Sequence, residues 1–468
     1  MRTSTATIAI LLGLTMAGCG EDTPPAAQSD DGSTGSTTDM AATTSTGSTG
    51  PVADGDTTSG PVATVTYHEH LRPLFEQHCV GCHQPGNIGP FSMTTYEEVL
   101  ALREAILLSV EEGTMPPWLA GPDCRDYVGD TTLTGEEIDW IREWVDAGGP
   151  EGDPDDYVAP DIPPSPELSR VDVTLELPEP YEPTLQPDDY RCFLIDWPYD
   201  DTVYVSGFAA EPDQLHMVHH MIAFAVEPDQ VAEYEALDAA EPEAGYTCFG
   251  GPGGEIDPGN PDTAGKWLGS WAPGGLAGDF PEGTGIPVQP GSRVVLQVHY
   301  NTGAGEIVPD RSGVSFKVDA QVDRPAAMML WADPSWLAGG MPIAAGDPAA
   351  THSFQLDPTP FMGFVTDVIP DDSPFRIYSS TVHMHTRGTR GQTSIVRAGG
   401  DSTCLLDIPR YDFNWQQAYR FAEPVVFEPG DQLRLACEWN NEASDQGINW
   451  GDGTGDEMCL GVFYVTTP

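Results

Sequence analysis

From about residue 170 onward, turns carrying proline and glycine return roughly every eight to twelve residues, and short alternating or β-branched runs lie between them. The runs are Val171 to Leu177, Thr202 to Phe208, Met221 to Val226, Arg293 to His299, Val314 to Val318, Thr393 to Val396, Gln432 to Glu438 and Leu460 to Val465. Turns so closely spaced break helical periodicity, and alternation places every second side chain on one sheet face. The pattern predicts antiparallel sandwiches. The stretch is too long for one small sandwich and predicts two all-β domains, 171–322 and 323–468.

Residues 65–152 have a different texture. Tyr67 to His78 reads as a helix with Leu71, Leu74 and Phe75 on one face, and Tyr96 to Glu112 as a second. Leu133 to Ala147 reads as a third, with Thr134 as N-cap and Gly148 as terminator. Cys79-Val80-Gly81-Cys82-His83 falls among them. C-x-x-C-H is the attachment sequence of a c-type haem: two thiols reach the vinyl groups and the histidine lies under the iron. Met115, held before Pro116-Pro117, is the candidate sixth ligand, and Met93 is its rival. His68, His70 and His78 read as surface or structural. The immediate His83 argues against a thioredoxin-like pair, and the lack of a second cysteine pair argues against zinc. The segment resembles a small all-α class I cytochrome c domain, with Met115 at the usual distal position.

The remaining stretches are not cores. Ile8 to Met16 is apolar but too short to span a bilayer, and Met16-Ala17-Gly18-Cys19 resembles a lipobox. The resemblance implies a signal peptide over 1–19, export, and lipidation at Cys19. Gly20 lacks the aspartate that retains lipoproteins at the inner membrane, so the outer membrane is the expected address. Residues 20–64 are Ser, Thr, Gly, Asp, Ala and Pro, a tether that cannot bury enough surface to fold, and 153–170 is a second linker. Net charge is -54, and Lys266 and Lys317 are the only lysines. Such a field repels nucleic acid and anionic membrane surfaces.

The chemistry-bearing residues of the β region are histidines and one methionine. His219 and His220 sit in H-M-V-H-H-M, His299 in L-Q-V-H-Y, His383 and His385 in H-M-H, and Met458 in D-E-M-C. They form two candidate sets, His/His/His and His/His/Met. Imidazole suits copper, zinc and iron, and a thioether tilts the choice to copper. His383 and His385 are two apart, so a strand aims both to one side. His219 and His220 are adjacent, and an ideal strand would point them apart. They can share an ion only at a bend, bulge or strand end.

These four motifs, in this order, resemble the copper type II, ascorbate-dependent monooxygenases, the family of peptidylglycine α-hydroxylating and dopamine β-monooxygenases. The resemblance covers His219 to Met221, Gln297 to Tyr300, His383 to His385 and Asp456 to Cys459. It implies two jelly-roll domains facing each other across a solvent-filled cleft. It implies one copper at His219, His220 and His299 for electron storage. A second, at His383, His385 and Met458, would be the catalytic site where O2 reacts. Two disulfides are implied, Cys437–Cys459 and Cys192–Cys248, while Cys124 and Cys404 stay open. Peptidylglycine enzymes carry a carboxylate clamp, and its positions here are Thr381, Leu460 and Val462. That departure argues against a C-terminal glycine substrate.

The expected whole is a lipid-anchored, exported monooxygenase that hydroxylates a C–H bond of a small-molecule or peptide substrate with O2. Its cofactors would be two copper ions and one c-type haem. The haem, fed by an upstream donor, would replace ascorbate, and this requires it to approach the three-histidine copper. The alternative is a non-catalytic haem and copper electron-transfer or copper-binding lipoprotein. A zinc hydrolase leaves Met458 and the C-x-x-C-H without a role.

Overall fold

A computed structural model describes residues 65–468 except 86, 88, 162–166, 249, 255–264, 273–274, 276, 304–305, 452 and 454. The expected signal peptide, Cys19 and the tether lie outside these residues. No helix among the described residues is long and apolar enough to cross a membrane.

The chain opens on helices. A short π-helical turn, Tyr67–Leu71, runs into α1 (Arg72–His78), followed by α2 (Tyr96–Glu111) and α3 (Gly135–Asp146). Both longer helices start on a reciprocal capping box. Thr95 pairs with Glu98 and Thr134 with Glu137, each satisfying amides that the first turn leaves without partners. Gly148 follows α3 with φ 86°, a left-handed exit that suits glycine. Leu71, Phe75, Val99, Ile141 and Trp144 form the core of this layer.

The rest is mostly β. The first part holds β1 (Val173–Glu176), β2 (Asp188–Asp196), β3 (Val203–Glu211), β4 (Val218–Val226), β5 (Tyr246–Thr247), β6 (Lys266–Trp271), β7 (Gly278–Asp279), β8 (Thr284–Val288), β9 (Arg293–Asn301) and β10 (Gly313–Asp319). The second holds β11 (Arg324–Trp331), β12 (Ala350–Leu356), β13 (Phe375–His383), β14 (Gly388–Val396), β15 (Ser402–Ile408), β16 (Tyr419–Phe427), β17 (Gln432–Trp439) and β18 (Leu460–Thr466). An α-helix departs from the expected all-β texture, besides two short 3-10 turns at Trp336–Ala338 and Thr359–Phe364. Val231–Ala240 is a helix, α4, built from good helix formers and anchored by buried Tyr234.

A long sheet runs through both parts in the order β1-β10-β3-β8-β11-β18-β13-β16, with β7 on β3. The parts join where β8 and β11 pair in parallel, Arg324 opposite Thr284. A five-stranded sheet, β5-β2-β9-β4-β6, faces the first part, and a four-stranded sheet, β12-β17-β14-β15, faces the second. Two cores fill the gaps. Val205, Met221, Leu296, Val298 and Phe316 are in one, and Ile377, Ile395, Leu406, Leu433 and Phe463 in the other. Lys266 adds a buried polar tie, meeting Glu227 at 2.6 Å and Asp367 at 2.8 Å.

The segment after α2 docks on the second part. Leu119, Ala120 and Tyr127 are buried in its core, separate from the helical one. The Leu119 amide donates to the Tyr419 hydroxyl at 3.2 Å, Tyr127 donates to the Leu405 carbonyl at 3.0 Å, and Trp118 meets Tyr419 edge-on. Cys124 and Cys404 close a disulfide across this contact, resolving the pair that the sequence leaves open. The other disulfides are Cys192–Cys248 and Cys437–Cys459.

Candidate metal centres

The first centre is built where β4 and β9 pair. Their register slips between Val218, which faces Tyr300, and His220, which faces His299. His219 is the extra residue of a β-bulge, and this undoes the alternation that would part the adjacent rings. The ligand nitrogens of His219, His220 and His299 all lie within 4.8 Å of one another. The ring centroids are 4.9 Å apart for His219 and His299, and 4.8 Å for His220 and His299.

The tautomers follow from the outer contacts. His299 Nε2 lies 2.9 Å from Asp188 Oδ1, so Nε2 carries the proton and Nδ1 keeps its lone pair. That Nδ1 faces His220 Nδ1 at 3.4 Å. His219 Nδ1 is buried without a hydrogen-bond partner among the described residues. A buried polar atom left unpaired costs free energy that a bound cation would recover. Tyr190, opposite His299 on β2, stacks on it at 4.0 Å and 8°. Burial, aided by the neighbouring imidazoles, pushes His219 down to about 4 and His220 well below its ordinary value. Both rings are therefore neutral at physiological pH, the state a metal ligand needs. The donor set and the orphaned nitrogen fit a copper ion.

The second centre lies at the end of β13. His383 closes the strand, paired with Leu460 of β18, and His385 follows it. Met458 is two residues from Leu460 as His385 is two residues from His383, which brings the two segments into one neighbourhood. Contacts from the same turn agree. His385 Nδ1 donates to the Asp456 carbonyl at 3.1 Å, and the His385 amide donates to Glu457 Oε2 at 2.9 Å. Met458 is buried at 8% exposure. The His383 and His385 ring centroids are 5.1 Å apart. His383 Nδ1 lies 2.5 Å from Gln416 Oε1, and Gln416 Nε2 donates to the Phe413 carbonyl at 2.8 Å. Both histidines thus spend Nδ1 on an oxygen and keep Nε2 for a ligand. Burial pushes His383 down to about 3 and His385 to about 4. Two neutral imidazoles and a buried thioether fit copper by donor softness.

Glu457 is the main support that the sequence reading passes over, although it sits inside the D-E-M-C motif. Its carboxylate is buried and accepts from the His385 amide, the Arg387 amide at 2.6 Å and Trp439 Nε1 at 2.9 Å. Asp188, Tyr190, Phe413 and Gln416 are further supports that no sequence motif marks. An acid directly after a proline, or a glutamine in a loop, carries no signal until the fold brings it to a histidine.

The remaining candidates fall elsewhere. Cys79 caps α1, and neither it nor exposed Cys82 is in a disulfide. His83 is buried, with Nδ1 3.2 Å from the Phe91 carbonyl and its ring 4.4 Å from Phe91. Two unpaired thiols and a histidine with one nitrogen tied down are compatible with haem attachment. Met115 is 42% exposed on the loop after α2, whereas Met93 is buried in the helical core. His216 and His352 bond the Glu306 and Pro342 carbonyls.

Residues 350–466 match the family model of the copper type II ascorbate-dependent monooxygenase C-terminal domain. The matched stretch includes His383, His385 and Met458. Dopamine beta-hydroxylase of Bos taurus is 26% identical over 60% of this chain and 44% of its own length. The Canis lupus familiaris enzyme of the same name is 32% identical over 19% of this chain and 14% of its own. Peptidyl-glycine alpha-amidating monooxygenase of Mus musculus is 24% identical over 64% of this chain and 27% of its own. The chain thus spans less than half the length of these relatives. The family model and the relatives support the same copper monooxygenase family.

Proposed function

We propose that this chain is a copper-dependent monooxygenase that hydroxylates a C–H bond with O2. The carrying observation is the convergence of His219, His220 and His299, with one buried Nδ1 left unpaired. Copper would supply one-electron chemistry at these residues, and O2 activation at His383, His385 and Met458. The protein's part is to hold neutral imidazoles in fixed tautomers through Asp188, Gln416 and the Asp456 carbonyl. Tyr190 stacks on His299 and Phe413 on His219, which sets aromatic surface against the imidazoles. Thr381 faces Val462 and His383 faces Leu460 across β13 and β18. None of these partners offers a cation, which favours a substrate without a carboxylate at this wall.

The reading extends to two jelly-roll domains, and to a c-type haem on Cys79, Cys82 and His83 as the electron donor, with Met115 as its sixth ligand. Residues 118–127, which follow the helix after that motif, dock on the second β part and tie the helical layer to it. Three disulfides suit the exported, lipid-anchored state proposed for the chain. The test is Met458→Ala in the full chain. Reductant-driven O2 consumption and product formation should be lost while the haem spectrum stays intact. Unchanged turnover would remove Met458 from the site.

A further inference from the structure

We propose that Phe413 is a positioning residue that couples the two histidine groups. It holds His219 and His385 against one ring, so that an electron crosses between the centres through a packed contact. The inference rests on the copper reading above and adds a residue to it.

The Phe413 ring stacks on His219 at 4.9 Å and 22°, and meets His385 at 6.1 Å and 79°. Both spacings lie in the range of aromatic pairs in contact. The two imidazole centroids are therefore no further apart than those two spacings laid end to end. One phenylalanine ring thus touches an imidazole of each group.

The ring is fixed from both flanks. It belongs to the loop between β15 and β16. On one side Arg410 donates to the Glu112 and Gly113 carbonyls at the end of α2. Buried Tyr411 donates to the Met384 carbonyl at 2.7 Å and accepts the Met384 amide at 2.9 Å. On the other side Gln416 bonds both the Phe413 carbonyl and His383. One short loop thus touches the residue between the C-terminal histidines, one of those histidines directly, and the end of the helical layer. With copper held by both groups, one electron would move from the ion at His219, His220 and His299, leaving it Cu(II), to the ion at His383, His385 and Met458, leaving it Cu(I). No bond forms or breaks, and no proton moves.

The first test uses the full chain without metal, with ring-labelled histidines and NMR. Phe413→Leu keeps apolar bulk but removes the ring field. It should shift the imidazole signals of His219 and His385, assigned by their loss in His219→Gln and His385→Gln, and leave those of His216 and His352 in place. Phe413→Trp should keep a ring field on both. Unmoved His219 and His385 signals in Phe413→Leu would overturn the positioning role. The second test loads the chain with Cu(II) and reads dipolar coupling by electron paramagnetic resonance. Coupling between the two ions should weaken in Phe413→Ala at unchanged copper content. Identical coupling would overturn the proposal. Absence of copper from both histidine groups of the natural chain would overturn the copper reading and the electron exchange with it. The imidazole signals would then still decide whether Phe413 positions the rings.

Discussion

Glu457 shows how a centre can depend on a side chain that touches no ligand. Its buried carboxylate takes two amide donors and an indole donor, and two of the three belong to the turn that carries His385. Burial holds its pKa above the usual value, so the hydrogen bonds work against a desolvation cost. Glu457→Ala should strand those donors and destabilise the fold by on the order of 3 kcal/mol, read by chemical denaturation. A loss below about 0.5 kcal/mol, the range of ordinary surface substitutions, would mean that water replaces the carboxylate. At this scale the sequence showed the donors but not their supports. His219, His299, His383 and Met458 stand out by type and motif. Asp188 and Gln416 gain meaning only from partners 111 and 33 positions away.

Among the elements, the bulge at His219 answers the question that adjacent histidines pose. Alternation required a bend or bulge if His219 and His220 were to share an ion, and the slip between Val218 and His220 supplies it. Strand periodicity was readable because one face of each run is buried. Helix α4 was not readable, because its ten residues lie among turn-rich segments and only Tyr234 is buried. The docking of residues 118–127 was equally hidden, since its contacts reach residues 405–422. The Cys124–Cys404 bridge spans 280 positions. Replacing both cysteines by serine should cost about 2–4 kcal/mol and expose the segment between α2 and α3 to limited proteolysis. A cleavage pattern unchanged from that of the natural chain would show that Trp118, Leu119 and Tyr127 hold the contact unaided.

For the whole molecule, the continuous sheet matters most. The pairing of β8 with β11 makes the two parts neighbours in one ladder, so histidines from both can share an aromatic ring. The two-sandwich outline was legible from turn spacing, whereas that shared sheet was not, since a two-residue parallel pairing leaves no mark on periodicity. Collecting neutral imidazoles at this junction has a cost in acid. His219, His383 and His385 sit at about 4, 3 and 4 in the folded chain against an ordinary value of 6.5. Between those values the unfolded chain binds more protons than the folded one. The metal-free protein should therefore lose stability as pH falls from about 6.5 toward about 4, and change little from these groups above 6.5. Denaturation midpoints across that range should fall less steeply in a His219→Gln, His383→Gln chain, and equal slopes would contradict the burial argument.

The central claim is that six side chains from two β parts form two copper centres, one of them holding a thioether. X-ray absorption on the full chain loaded with copper and reduced reads it directly. The expected result is two copper ions per chain, a nitrogen shell throughout, and one sulfur scatterer shared over the two ions that disappears in Met458→Ala. A sulfur-free shell in the natural chain, or a sulfur signal that survives the substitution, would contradict it.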